Sequence, residues 1–160
     1  MAKKPVFFSF HYANDVMRVQ QIRNIGALEG NEPVSANDWE VVKKGGDASI
    51  KRWIDDNFKY KQCIIVLVGE DTSNRQWVKY EIKKAWKDGK GLLGIHIHNL
   101  KCPRYGKSKK GINPFDQFTF KDGTKLSSKV SCYDPNAIDA YGDIAKNIEA
   151  WVNKAIDQRK

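Results

Sequence analysis

An α/β fold, with a central parallel sheet and helices on both faces, is what this sequence predicts. Three observations point to it. Segments of strand character alternate with segments of helix character along most of the chain. CIIVLVG, residues 63–69, is an unbroken apolar run, as suits a central strand covered on both sides. The chain closes on an apolar stripe at helical spacing: Ile144, Ile148, Trp151, Val152 and Ala155.

The elements follow in order. Val6 to Phe10 is a short apolar run and reads as the first strand. Asn14 or Asp15 is placed to cap the next helix, whose Val16, Val19, Ile22 and Ile25 share one side. A cluster of Gly26, Gly30, Asn31 and Pro33 interrupts it, and a weak strand or irregular segment runs through Trp39 to Val42. After Gly45-Gly46, Asp47 or Ser49 can cap a helix with Ile50, Trp53, Ile54 and Phe58 on one face. The run at 63–69 is the next strand, followed by a helix capped by Thr72 or Ser73. LLGIHIHNL, residues 92–100, reads as a strand on which Ile95 and Ile97 face away from His96 and His98. The stretch from about 101 to 134 is irregular and basic at Lys107, Lys109 and Lys110. Its FTFKDGTK carries a DG turn signal for a small hairpin, and one more strand is expected near Val130 to Tyr133. The whole, residues 1–160, reads as a single domain.

This order implies a flavodoxin-like topology, with ligands bound at the carboxyl ends of the strands near the switch between the first and third. Two segments end there. One is the turn after strand one, with Phe10, His11, Tyr12 and Asn14. The other is Gly69-Glu70-Asp71-Thr72 after strand three.

Charge and cysteine content narrow the class. The formal net charge is +9, from 28 Lys and Arg against 19 Asp and Glu, which favours anionic partners without choosing among them. Three cysteines with no CxxC pair indicate neither a zinc ribbon nor a redox dithiol. MAKKPVFFSF is too short in its apolar run for a signal peptide, and no run approaches transmembrane length. The expectation is a reduced cytoplasmic protein with no membrane partner.

Familiar occupants of the crevice are missing. SFHYAND stands where a dinucleotide fingerprint would show GxGxxG, and it is a poor substitute for a flavin phosphate loop. No acidic pair follows strand one, as a phosphoreceiver requires, and neither a P-loop nor a GxSxG elbow occurs. His96 and His98 share a face and could be half of a metal site, but no third ligand is placed, so the expectation is a hydrogen-bonded pair and no metal. His11 sits at the crevice, with ligand contact and packing equally open.

TSNRQWVKYEIKKA, residues 72–85, poses the sharper question. With Trp77 at zero on the helical wheel, Val78, Ile82, Ala85 and Trp86 span an arc of about 80° to 180°. The lysines and Tyr80 fill the far side, and Glu81 falls at about 40°, beside the apolar arc. One reading is an ion pair to Lys79, Lys84 or Arg75. The other is a carboxylate one turn from an aromatic platform. Trp77 can stack a flat ring, and Glu81 can stabilise the charge that develops as a ribosyl C–N bond breaks.

VFFSFHYANDVMRVQQIRN, the Trp39 to Trp53 segment, CIIVLVGEDTSNRQWVKYEI and GLLGIHIHNL together resemble the TIR-like proteins of the bacterial Thoeris anti-phage system. The likeness covers the first hundred residues well and the remainder loosely. It implies a TIR-like, flavodoxin-like sheet and cleavage of NAD at the nicotinamide–ribose bond. It implies that Glu81 is catalytic, that Trp77 stacks the substrate, and that Phe10, His11 and Tyr12 contribute to the pocket. The implied product is a cyclic ADP-ribose isomer that activates a separate effector. NAD serves as substrate, with no other cofactor. The loop NEPVSANDWEVVKKGGD lacks the RDxxPG-type sequence of many receptor TIR domains, which speaks against receptor-style self-assembly through that loop; the trigger is expected from outside the chain, from the phage, or from self-association. Two alternatives stand beside this reading: a non-enzymatic TIR-like interaction module, and a nucleic-acid binder suggested only by charge.

Overall fold

A computed structural model of the chain describes residues 3–30, 42–102 and 106–160; of residues 12–14 and 29–30 only the main chain is described. Five strands form one sheet: β1 (Pro5–Ser9), β2 (Glu29–Gly30), β3 (Cys63–Val68), β4 (Gly91–His96) and β5 (Cys132–Tyr133). Their spatial order is β2-β1-β3-β4-β5, and every pairing is parallel. This is the flavodoxin-like order expected, with its switch point between β1 and β3.

Among the described residues, the helices that cover the sheet are α1 (Tyr12–Arg23), α2 (Gly46–Phe58), α3 (Gln76–Lys87) and α4 (Ala140–Asp157). The pleat sends alternate side chains to opposite faces, so β1, β3, β4 and β5 each feed two cores. Phe8, Ile65, Leu67, Leu93, Ile95 and Ile97 pack with α1 and α4. Phe7, Ile64, Val66, Val68 and Leu92 pack with α2, α3, Phe115 and Leu126. β3 is buried at all six positions, which explains its unbroken apolar run. Each fully buried Ile or Leu contributes about 1.5–3 kcal/mol by leaving water.

Several local expectations are corrected. The second strand among the described residues is Glu29–Gly30, inside the Gly, Asn and Pro cluster, and Val42 of the expected weak segment is helical. Residues 39–41 of that segment lie outside the described residues. α1 begins at Tyr12 with His11 at its N-cap, so Asn14 and Asp15 are already within the first turn. α2 begins after Gly45, and neither Asp47 nor Ser49 caps it. Thr72 and Ser73 belong to a short 3-10 turn, Thr72–Asn74, and α3 starts only at Gln76. The turn has its own physical reason: Thr72 Oγ1 accepts the Gly69 main-chain N–H at 2.8 Å, which ties it back to the end of β3. The small FTFKDGTK hairpin does form: an antiparallel bridge joins Thr119 to Lys125, flanked by hydrogen bonds from Phe120 N–H to the Thr124 carbonyl at 2.8 Å and from Leu126 N–H to the Phe118 carbonyl at 2.9 Å. Asp139, for which no expectation was drawn, caps α4, accepting from Gly142 N–H at 2.9 Å. Among the described residues no helix is long and apolar enough to cross a membrane.

Candidate active site at the switch point

β1 ends at Ser9 and β3 at Val68, side by side, with Ser9 paired in register to Val66. Ser9 lies two residues beyond Phe7, so the pleat turns it toward α2 and α3. There it meets Glu81. The Ser9 hydroxyl donates to Glu81 Oε1 at 2.8 Å across 72 residues of sequence. Both side chains are buried, with Glu81 6% exposed.

The ion-pair reading of Glu81 fails on geometry. Lys84 pairs with Asp88 at 3.0 Å and Asp55 at 3.5 Å, on the side of α3 that faces α2. Arg75 pairs with Asp71. Tyr80 donates to Asp55 at 2.9 Å. Lys84, Arg75 and Tyr80 are thus engaged elsewhere, and Glu81 has Ser9 as its hydrogen-bond partner. Burial drives its acidity down: the carboxyl pKa rises from an ordinary 4.5 to about 8, and the Ser9 hydrogen bond pulls only partly the other way. A buried carboxyl at a strand-end crevice, bonded to a hydroxyl and to no cation, fits a chemical role better than a structural one.

Trp77 stands one turn before Glu81 on α3 and is half-buried against the α2/α3 core. Its ring meets Tyr80 edge-on, with centroids 5.7 Å apart. His11, at the head of α1, faces the turn after β3. Burial and the Arg75 guanidinium hold its pKa below the usual value, against a smaller opposing pull from Asp71. The two strand-end segments predicted to share the crevice therefore do so. Phe10 goes the other way, partly buried against the α1/α4 core. The side chain of Tyr12 lies outside the described residues.

Sequence reasoning missed a second buried carboxyl nearby. Asp15 is buried on α1 and pairs with buried Arg18 at 3.1 Å. Arg18 also donates to the Leu100 carbonyl at 3.0 Å and the Gly106 carbonyl at 2.9 Å, fastening α1 to the segment after β4. Burial raises the Asp15 pKa to about 6, against the opposing pull of Arg18. A Cβ on Gly69 would lie 2.2 Å from Asp15 Oδ2, and one on Gly111 would lie 2.0 Å from the Gly69 carbonyl oxygen. Only glycine admits these approaches. The i, i+3 spacing of Asp15 and Arg18 was visible, but its burial had no signal in sequence. Ser9 could have been found by counting the pleat from Phe7.

Among the described residues, no group of three or more His, Cys, Asp or Glu could hold a metal ion. His96 and His98 lie at the carboxyl end of β4, with ring centroids 5.9 Å apart. Neither Nδ1 of that pair finds a hydrogen-bond partner.

Comparison with known proteins adds two findings. The family model described as "Thoeris protein ThsB, TIR-like domain" matches residues 7–102, which include Ser9, His11, Trp77 and Glu81. A relative from Bacillus cereus (strain MSX-D12), named "Putative cyclic ADP-D-ribose synthase ThsB1", is 40% identical over 135 residues, covering 79% of this chain and 69% of its own length.

Proposed function

The chain belongs to the TIR-like family of the Thoeris protein ThsB, and from that premise we propose how it works. It is an enzyme of anti-phage defence that cleaves NAD at the nicotinamide–ribose bond and closes the ADP-ribose part into a cyclic messenger. The observation that carries the assignment of residues is Glu81, buried at the switch point and bonded to Ser9 rather than to a cation.

At pH 7 a group with a pKa of about 8 is ionised in roughly one molecule in ten. NAD changes that balance. Its nicotinamide ring is cationic, and a cation brought beside a buried carboxyl favours the carboxylate. Trp77 stacks the ring and holds it over Glu81. As the C–N bond breaks, its electron pair leaves with nicotinamide, which becomes neutral. Positive charge moves to the ribosyl carbon, where the Glu81 carboxylate stabilises it. An adenine nitrogen or a ribose hydroxyl of the same molecule then forms the new bond, and a hydroxyl nucleophile passes its proton to Glu81. Water in its place gives linear ADP-ribose. Folding the substrate back on itself is an entropic cost that a closed pocket lowers.

His11 and Tyr12, which follow β1, are assigned to the pocket, and Phe10 contributes its main chain there. NAD is the substrate, and the scheme draws on no further cofactor. A phage-derived trigger starts synthesis, and a separate effector reads the cyclic product.

The experiment compares wild type with Glu81→Gln in infected cells, with small-molecule extracts analysed by mass spectrometry. A species of cyclic ADP-ribose mass that rises with wild type alone supports the scheme. If the two variants make equal amounts, Glu81 is not catalytic. If neither makes the species or depletes NAD, yet both protect beside the effector, the chain is a TIR-like interaction module.

A further inference from the structure

Three polar atoms gather at the carboxyl end of β4 without a hydrogen bond. They are Nδ1 of His96, Nδ1 of His98 and Oγ of Ser108, each inaccessible to solvent. His96 is only 5% exposed. The rings of His96 and His98 stand nearly perpendicular, at 83°. Ser108 is held beside them, because its main-chain N–H donates to the His98 carbonyl at 3.0 Å. A buried polar atom without a partner is costly, and three in one place require an explanation.

The surroundings give the chemistry. Lys110 pairs with Asp134 at 2.9 Å, and both charges act on the two imidazoles. Lys107 acts on His98 as well, while donating to the Ala137 carbonyl at 2.6 Å. Burial comes first among the causes that hold both histidines below their usual pKa, which favours the neutral form. A neutral imidazole has one donor and one acceptor nitrogen, and a serine hydroxyl does both. Such a set matches a group that itself donates and accepts, such as a nucleobase edge or a ribose diol. The two lysines at the rim, against one aspartate, add a positive excess suited to an adjoining phosphate.

The place fits too. Leu92 belongs to the α2/α3 core, and a Cβ on Gly94 would meet Phe115 and Cys132 of that same side. His96, two residues on, therefore shares the sheet face of Ser9 and Glu81. The register runs Ser9 to Val66 to Gly94. His96 is thus two strands across and two residues further, about 10 Å by about 7 Å, or roughly 12 Å from Ser9. A dinucleotide anchored by its nicotinamide at Glu81 has a second half to place at about that remove.

Resting on the NAD-cleaving reading above, we infer that His96, His98 and Ser108, with Lys107 and Lys110 at the rim, form the subsite for the adenylate half of the substrate. The subsite holds the adenylate relative to the ribosyl carbon and so sets the ratio of cyclic to linear product. His96, His98 and Ser108 are positioning residues, apart from the bond-breaking step.

The test uses adenosine 5′-monophosphate as probe on the full chain. Imidazole ¹⁵N resonances of His96 and His98 are followed in wild type and in Glu81→Gln. Binding is also titrated for His98→Asn and Ser108→Ala, whose positions are less deeply buried than His96. The expected result is a shift of both imidazoles in both backgrounds. Affinity for the probe should fall about tenfold or more in His98→Asn, with nicotinamide mononucleotide affinity unchanged. The cyclic-to-linear ratio should fall at least several-fold in the same variant. Unmoved imidazoles, or an unchanged ratio with unchanged probe affinity, overturn the subsite even if Glu81→Gln is inactive. Shifted imidazoles beside a fully active Glu81→Gln would instead overturn the assignment of Glu81 and leave the subsite standing.

Discussion

Replacing Glu81 by Gln should make the protein more stable, and increasingly so as pH rises. Glutamine has nearly the shape of the protonated acid, and its carbonyl oxygen still accepts the Ser9 hydroxyl. What it lacks is the titration. An acid whose pKa is raised by folding, here from 4.5 to about 8, contributes fully only below the lower value. That stability is lost as pH climbs through the upper one. With 1.36 kcal/mol for each pKa unit, the loss is below about 1 kcal/mol at pH 5, about 3 at pH 7 and about 5 at pH 9. Glutamine escapes it, and every other ionisable group is common to both proteins. For a chain of this length about 3 kcal/mol corresponds to a rise in Tm of roughly 6 to 12 °C. Urea denaturation of both proteins at pH 5, 7 and 9 measures the gap. A gap that stays flat with pH, or a glutamine variant that is the weaker at pH 9, would refute the account of Glu81 as a desolvated acid.

Ser9→Ala removes the one contact that lowers the Glu81 pKa, so the acidic limb of the pH–rate profile for NAD cleavage should move to higher pH. An unmoved limb would mean that the hydrogen bond only packs the helix. Trp77→Ala should raise KM for NAD about tenfold or more, while Trp77→Phe retains most of the affinity; equal losses in the two would argue against ring stacking. Gly69→Ala forces a Cβ onto the Asp15 carboxyl and should cost about 1–3 kcal/mol in chemical denaturation. Arg18→Met strands Asp15 without its cation and should cost about 3–5 kcal/mol at pH 8, less at pH 5 where Asp15 is largely protonated.

The parts of this fold that were legible in sequence are those with dense periodic signals. β3 announces itself by six consecutive apolar residues, and α4 by its stripe. The position of Glu81 beside the apolar arc of its helix was also visible, and with the strand order it placed the residue at the crevice. β2 was not foreseen because two residues, Glu29 and Gly30, carry no pattern to read. The caps of α1, α2 and α3 were misplaced for another reason. Asn14, Asp47 and Thr72 all have capping side chains, but main-chain geometry starts these helices elsewhere, and Thr72 is engaged in holding the end of β3. Ser9 and Ser108 owe their interest to residues far away in sequence, and no local window contains that information.

The contact between Gly111 and the carbonyl of Gly69 bears on how such an enzyme can diversify. Across the carboxyl end of β3 the floor is made of peptide groups pressed together, with Asp15 wedged beneath. Point mutation changes side chains and leaves peptide groups chemically alike, and here it cannot add even a methyl group. On the site assignment proposed above, new substrate preferences are acquired around the edges, at His11, Trp77 and His98, where half-buried side chains leave room for exchange. The centre of the crevice is a fixed inheritance, and its perimeter is where selection has material to work on.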